Sequence, residues 1–328
     1  MKRLLRLIAL SLALLILAGC AGTTASTPAD SGNENTPAGT AAEWSPVTVR
    51  DDLGREITFG TQPKRVAALM ASFAETWLLA GGDLIAAPKD AWEDFDLTLD
   101  ESVTDLGSYM KISAEALFGL NPDLVIASSN TKSQMEMKDT LEGAGLNVLF
   151  FDVNGFEDYL RMLEACAKIT GRADLYEENG TAIRDEVERA KSAALSALDG
   201  KDAPRVLFIR TAASGIHVKG SDGTVLGLML KDLGCVNIAD GSDLLENLSI
   251  EKIIEEDPDR IFIVMQGSDE EGAKKTLEDA LTGNPAWSGL SAVKEGRVHW
   301  MDKKLYHLKP NNRWGIAYDE LETLLYGE

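Results

Sequence analysis

One phrase occurs twice in this chain, and it limits what the chain can become. Ile112-Ser113-Ala114-Glu115-Ala116-Leu117 is followed, after four residues, by Pro122-Asp123 and the apolar run Leu124-Val125-Ile126. One hundred and thirty-six residues on, Leu248-Ser249-Ile250-Glu251-Lys252-Ile253 is followed, after four residues, by Pro258-Asp259 and Arg260-Ile261-Phe262-Ile263. Each phrase reads as a helix start, a helix stop and a buried strand. Ser113 and Ser249 suit an N-cap, where the hydroxyl accepts from an orphan backbone N–H. Glu115 and Glu251 fall in the first turn, where the helix dipole favours negative charge. The prolines close the helices, and the apolar runs after them read as strands. A helix-start role accounts for either Glu alone, but not for a pair kept in register. The repeat implies two lobes of like construction, each displaying one Glu.

The N-terminal residues read as an export signal. Lys2, Arg3 and Arg6 precede an apolar run at 7–18 that is too short to span a membrane comfortably, and Leu17-Ala18-Gly19-Cys20 looks like a bacterial lipobox. Residues 1–19 are therefore expected to be removed and Cys20 to carry lipid. Residues 21–43 hold no aromatic and no large aliphatic side chain, so they cannot bury a core. With Cys20 they form a tether, residues 20–45, reaching roughly 25–30 Å as a coil. Without the leader, Lys+Arg falls from 32 to 29 against 53 acids, a net charge of −24. That charge excludes nucleic acid as a partner, since phosphates demand a basic face, and leaves lipid anchoring as the contact with a membrane.

The rest alternates strand and helix. Asp52-Leu53-Gly54-Arg55 turns between two short strands at 47–59. Strands are expected at 66–70, 84–87, 103–106, 124–128 and 147–151, with helices at 73–80 and 134–142. Residues 156–169 and 173–198 are helical, the second weakened by Gly180. Strands resume at 205–210, 216–219, 261–265 and 298–301, among helices at 224–233, 274–281 and 313–325. Such alternation means parallel sheets. The expected fold is α/β, with two three-layer lobes (residues 46–171 and 201–328), one long connecting helix (172–200) and a ligand cleft between the lobes. A stiff connector favours small adjustments over wide hinge closure.

Ligands of open α/β sheets sit beyond the carboxyl ends of the strands. Those ends carry Ser72, Trp92, Tyr109 and Met110 in the first lobe, and Arg210, Gln266, Tyr306 and His307 in the second, with His217 after a strand. Trp92, Tyr109 and Tyr306 could stack on a flat ligand, and Arg210 and Lys309 could pair with carboxylates. His299, inside a strand, is expected to be structural. Cys166 and Cys235 fall in different lobes and are expected unpaired and mostly buried, and no Cys/His spacing suggests zinc. No nucleophile-elbow serine and no HExxH helix argues for an enzyme. Three histidines are too few for a receptor of free zinc or manganese.

The lipobox, the tether, Asp51-Asp52-Leu53-Gly54-Arg55, Pro63-Lys64-Arg65-Val66, the paired Pro-Asp phrases and the central helix together resemble the substrate-binding lipoproteins of ABC importers for iron complexes, haem and cobalamin. This is the helix-linked Fe/B12-type periplasmic-binding family, and the resemblance covers about residues 46–328. It implies a protein with no catalysis and no intrinsic cofactor, held at the extracytoplasmic face of the cell membrane. Such a protein captures a metal chelate, a ferric siderophore or haem, with a corrinoid as alternative. It delivers the chelate to a permease dimer driven by a cytoplasmic ATPase. A ligand-sensing lipoprotein uncoupled from transport is a further alternative. Glu115 and Glu251 match the residues that engage permease arginines. Gly107-Ser108-Tyr109-Met110 resembles the segment of Isd-type haem receptors that supplies an axial Met. The position of their axial His is Gln266 here, a poor iron ligand, which leaves His307 or His217 to compensate or Met110 to serve as an ordinary cleft-lining residue.

Overall fold

Apolar runs without in–out alternation mark strands covered on both faces. The structure, a computed structural model that describes residues 44–327, contains two sheets of this kind. The leader, Cys20 and the tether up to residue 43 lie outside the described residues.

The first lobe opens with an antiparallel hairpin, β1 (Val47–Arg50) and β2 (Glu56–Phe59). The buried Asp51 carboxylate holds its turn, accepting from the Leu53 and Arg55 amides at 3.1 and 3.0 Å and from the Phe150 amide at 3.2 Å. Gly54 turns the chain with a left-handed φ of 78°, a region glycine enters without strain. There follow β3 (Val66–Ala68), α1 (Ala71–Leu79), β4 (Ala86–Ala87), α2 (Asp90–Glu93), β5 (Thr104–Asp105), α3 (Ala114–Leu120), β6 (Leu124–Ser128), α4 (Lys132–Glu136), α5 (Lys138–Gly143) and β7 (Asn147–Phe151). The sheet is parallel, in the order β5-β4-β3-β6-β7. Two expectations are corrected: the helix at 134–142 is a pair meeting at Met137, and the strand at 84–87 shrinks to two residues.

The chain then crosses on α6 (Phe156–Thr170), α7 (Ala173–Tyr176), a π turn at Glu177–Thr181 and α8 (Ala182–Ala197). The π turn contains Gly180, where a Cβ would lie 3.1 Å from Leu160 and Leu163 of α6. Glycine lets the two helices approach closely at the weak point in the helical pattern. The second lobe holds β8 (Arg205–Ala212), β9 (Gly215–Lys219), α9 (Val225–Asp232), β10 (Val236–Asn237), α10 (Ile250–Glu256), β11 (Arg260–Met265), α11 (Glu270–Leu277), α12 (Ser291–Lys294), β12 (Val298–Met301), α13 (Lys303–Tyr306) and α14 (Trp314–Tyr326). Its parallel order is β10-β8-β11-β12, with β9 antiparallel to the second half of β8.

With the extra edge strand β5 set aside and the remaining parallel strands numbered by their order within each lobe, β4-β3-β6-β7 and β10-β8-β11-β12 share one topology, 2-1-3-4. Register agrees as well: Val66 pairs with Leu124, and Val206 pairs with Arg260, the position equivalent to Leu124. The outer face of each sheet has its own core, around Val125 and Leu117 in one lobe and Ile261 and Ile253 in the other. The inner faces share a single core. It runs from Val66, Ile126 and Leu149 through α6, α8 and α14 to Val206, Phe208 and Phe262. The lobes are therefore joined by a packed helical layer, in which α14 lies along α8, as well as by the helical run at 173–197. Cys166 and Cys235 are free and buried, and burial pushes each thiol up to about 12.

Candidate functional site

The two repeated helices, α3 and α10, are built from the same contacts. The Ser113 hydroxyl accepts from the Ala116 amide at 3.4 Å and donates to the Glu115 carboxylate at 2.6 Å. Ser249 accepts from the Lys252 amide at 3.2 Å and donates to Glu251 at 3.0 Å. This explains the spacing: the cap that starts the helix also aims the exposed carboxylate two residues on. The same hydrogen bond is the main reason the Glu115 carboxyl lies below its ordinary range. Each helix ends on a left-handed residue, Asn121 (φ 48°) or Asp257 (φ 39°), and the proline then prevents continuation. Asp123 accepts from the Lys64 and Arg65 amides at 2.8 and 2.9 Å, and Asp259 accepts from the Arg205 amide at 2.7 Å. Arg65 donates to the Leu120 carbonyl at 2.6 Å, and Arg205 to the Glu256 carbonyl at 3.2 Å. Those arginines clamp the helix ends to β3 and β8, the first strand in sequence of each parallel sheet. The signal for them was present in Pro-Lys-Arg-Val at 63–66 and Pro-Arg-Val at 204–206.

A second group lies between the lobes. Gln134, fully buried, accepts from the Ser128 amide at 2.8 Å and donates to the Leu69 and Tyr109 carbonyls at 2.9 and 3.2 Å. It thereby ties together the loops after β3, β5 and β6. Tyr109 is half-buried, and its phenol is pushed up by burial and then by Asp90, with Arg210 acting in the opposite sense. Asp90, at the start of α2, is pushed up to about 6 by burial, and its Oδ1 is buried without a partner. Across the gap, the Lys303 ammonium donates to Asp94 at 2.7 Å and to the Gly267 carbonyl at 3.2 Å, and Lys304 pairs with Asp96. His307 is driven down to about 4 by burial, then by the charges of Arg210, Lys303 and Lys309, so it is neutral at pH 7. Burial also lowers Arg210, Lys219 and Lys309, and Arg210 further lowers Lys219. The Arg210 Nε is buried with no hydrogen-bond partner.

Tyr109, Arg210 and His307 are thus brought together, and they are joined by Asp90, Asp94, Lys219, Lys303 and Lys309. Of these, the sequence alone points to a ligand role for Lys309 only. His217, after strand β8, lies within β9, the strand expected at 216–219, directly opposite Arg210, and it is exposed. Met110 is 53% exposed, and Gln266 is exposed just after β11. Ser72 is buried in α1 and uses its carbonyl to accept from Asn311 at 3.1 Å. Trp92 is corrected from an open polar loop to α2, where it packs on the shared core. Tyr306 is corrected outright: it is 2% exposed, its hydroxyl donates to the Ala317 carbonyl at 3.0 Å, and it has no face to offer a ligand. His299 stacks on Phe262 with ring centroids 5.3 Å apart, a structural role. Below the cleft, Glu75 of α1 takes two bonds from Arg313 at 2.8 and 3.1 Å and one from Asn311 at 2.5 Å, pinning the first lobe to the segment before α14. The signal for this was a lone carboxylate in the apolar run Phe73-Ala74-Glu75-Thr76-Trp77-Leu78-Leu79.

Two like α/β lobes with a cluster of charged side chains where they meet, and with one displayed carboxylate on each, define a two-lobed binding protein. Residues 66–305 match the profile of the periplasmic binding protein family, and the chain belongs to that family. It is 28% identical over 307 residues to the ABC transporter substrate-binding lipoprotein YvrC of Bacillus subtilis, covering 90% of this chain and 89% of that protein. It is 25% identical over 302 residues to the Fe(3+)-citrate-binding protein YfmC of the same organism, covering 90% and 87%. The siderophore-binding protein BauB, solved with two molecules of acinetobactin and ferric iron, aligns with a TM-score of 0.70 over 87% of this chain and 100% of that one, at 19% identity. That likeness is one of fold. Among the described residues no helix is long and apolar enough to cross a membrane.

Proposed function

We propose that this chain is the lipid-anchored, extracytoplasmic binding component of an ABC importer, and that it captures an anionic iron chelate between its lobes. One observation carries the reading. Arg210, Lys219 and Lys303 gather beside Tyr109 and His307 in a chain whose net charge is −21, and Arg210 and Lys219 are lowered by burial with no carboxylate acting to raise them. Desolvated cations are costly unless an anion meets them. A carboxylate-rich chelate supplies that anion, and its oxygens match the guanidinium fork of Arg210. The name of the relative YfmC, a Fe(3+)-citrate-binding protein, agrees with this class. Haem, with two propionates, is the second member of the class. In that case Met110, half-exposed at the rim, is the residue on hand to ligate iron. A corrinoid, whose side chains are mostly amides, makes less use of these cations. Cys20 carries the anchor, and Glu115 and Glu251 dock on two permease subunits, whose ATPase powers release.

The test is titration of the soluble form starting at Ala21 with ferric citrate, haem and cobalamin, followed by tryptophan fluorescence and visible absorption. Saturable binding of ferric citrate or haem, weakened about tenfold or more by Arg210→Ala, is the expected result. Binding of cobalamin alone, indifferent to Arg210→Ala, would overturn the anionic-chelate reading.

A further inference from the structure

Among the large apolar side chains that the described residues leave exposed, two occupy equivalent places in the repeated phrase. Phe118 follows Glu115 by three residues on α3 and is 37% exposed, and Ile254 follows Glu251 by three on α10 and is 38% exposed. Residues three apart on a helix share a face, so each helix shows solvent a carboxylate beside an apolar side chain. Packing does not require those side chains. Leu117 and Ile253, one position earlier, are each 0% exposed and already anchor their helices in the outer cores. The duplication is also more than a matter of composition, because caps, carboxylate hydrogen bonds, left-handed ends and clamping arginines recur with it.

We propose that Phe118 and Ile254 are paired apolar contacts for the permease, each seated in an apolar recess beside the cation that receives the neighbouring Glu. The proposal rests on the docking reading of Glu115 and Glu251. Two arguments select this occupant. First, a surface built twice in one chain fits a partner with two like subunits, and the α3 and α10 start signals both follow loops at the cleft end of their sheets. Second, in each Glu one carboxylate oxygen is held by serine, and the carboxylate stays exposed for an outside cation. An exposed ion pair contributes little by itself. An apolar neighbour that excludes water from the pair raises its worth and fixes its orientation.

The experiment uses the full-length lipoprotein in its own cells, with a photo-reactive phenylalanine at Ala116 or Glu255, which are exposed positions on α3 and α10. Illumination is expected to join both positions to a polytopic permease subunit, identified by mass spectrometry. Adding Phe118→Ser and Ile254→Ser is expected to cut the yield about tenfold. Phe118→Leu with Ile254→Val should hold it within about twofold, since volume and apolar character are kept. Thermal unfolding of each purified variant separates lost docking from lost fold. An undiminished yield in the folded serine variant would overturn the apolar contacts while leaving the docking reading standing. If no permease subunit is captured from the parent chain at either position, the docking reading falls and this proposal falls with it.

Discussion

Asp90 and His307 approach Lys303 from opposite lobes, and burial moves them in opposite directions. Asp90 rises to about 6 and His307 falls to about 4. For His307 the unfolded chain binds the proton first, so between about 6.5 and 4 the fold loses stability as pH falls. For Asp90 the folded chain binds the proton first, so between about 4 and 6 the fold gains stability as pH falls. The two slopes overlap and largely cancel. Asp90→Asn should therefore leave the His307 slope exposed, and stability should drop by about 1 kcal/mol from pH 6.5 to 4 relative to the parent, a value discounted because both groups are partly solvated. His307→Gln should tilt the profile the other way. Urea unfolding at half-unit pH steps reads both, and parallel profiles for parent and variants would contradict the assignment. Tyr306, one residue before His307, shows the limit of reading at this scale. In a four-residue helix one step rotates the side chain by about 100°, and nothing local tells which neighbour turns to the cleft.

Elements were more legible than single residues, and for a physical reason. Helix α3 and helix α10 are specified by contacts within a few residues of each other: a serine cap, a carboxylate two positions later, then proline. The strands after them are apolar without alternation, which fixes their burial on both faces. What escaped was whatever depends on the other lobe. Glu75 lies on α1, while Asn311 and Arg313 come more than two hundred residues later, and no spacing rule relates them. Glu75→Gln tests how much that tie contributes. It leaves Arg313 facing a neutral amide in a largely buried place, so the loss should be about 2–3 kcal/mol, less than for a fully enclosed pair because Arg313 keeps some solvent contact. Lys304→Ala removes a surface partner of Asp96 and should cost less than about 1 kcal/mol. Guanidinium unfolding of the two variants side by side would show the ranking, and equal losses would mean that Glu75 does not hold α1 to the second lobe.

At the scale of the whole molecule, the shared inner core and the cleft ion pairs pull in the same direction. The core that runs from Val66 through α6, α8 and α14 to Phe262 resists a wide opening of the lobes, because packed interiors rearrange in discrete steps rather than bending. The pairs Lys303–Asp94 and Lys304–Asp96 close the rim above that core. The first of them also occupies a cation that an anionic chelate would use, so the ligand must displace Asp94 from Lys303 to gain its charge. Removing the internal competitor should then favour the external one. Asp94→Asn with Asp96→Asn is expected to tighten ferric citrate binding about three- to tenfold at low salt, the worth of one or two partly exposed ion pairs. The advantage should shrink as ionic strength rises and salt screens the partly exposed charges. Isothermal titration at about 20 and 300 mM salt separates the two effects. Weaker binding in the double variant would mean that the acidic segment at 90–96 helps to build the site rather than competing for it, because the aspartates would then be holding Lys303 in place for the ligand.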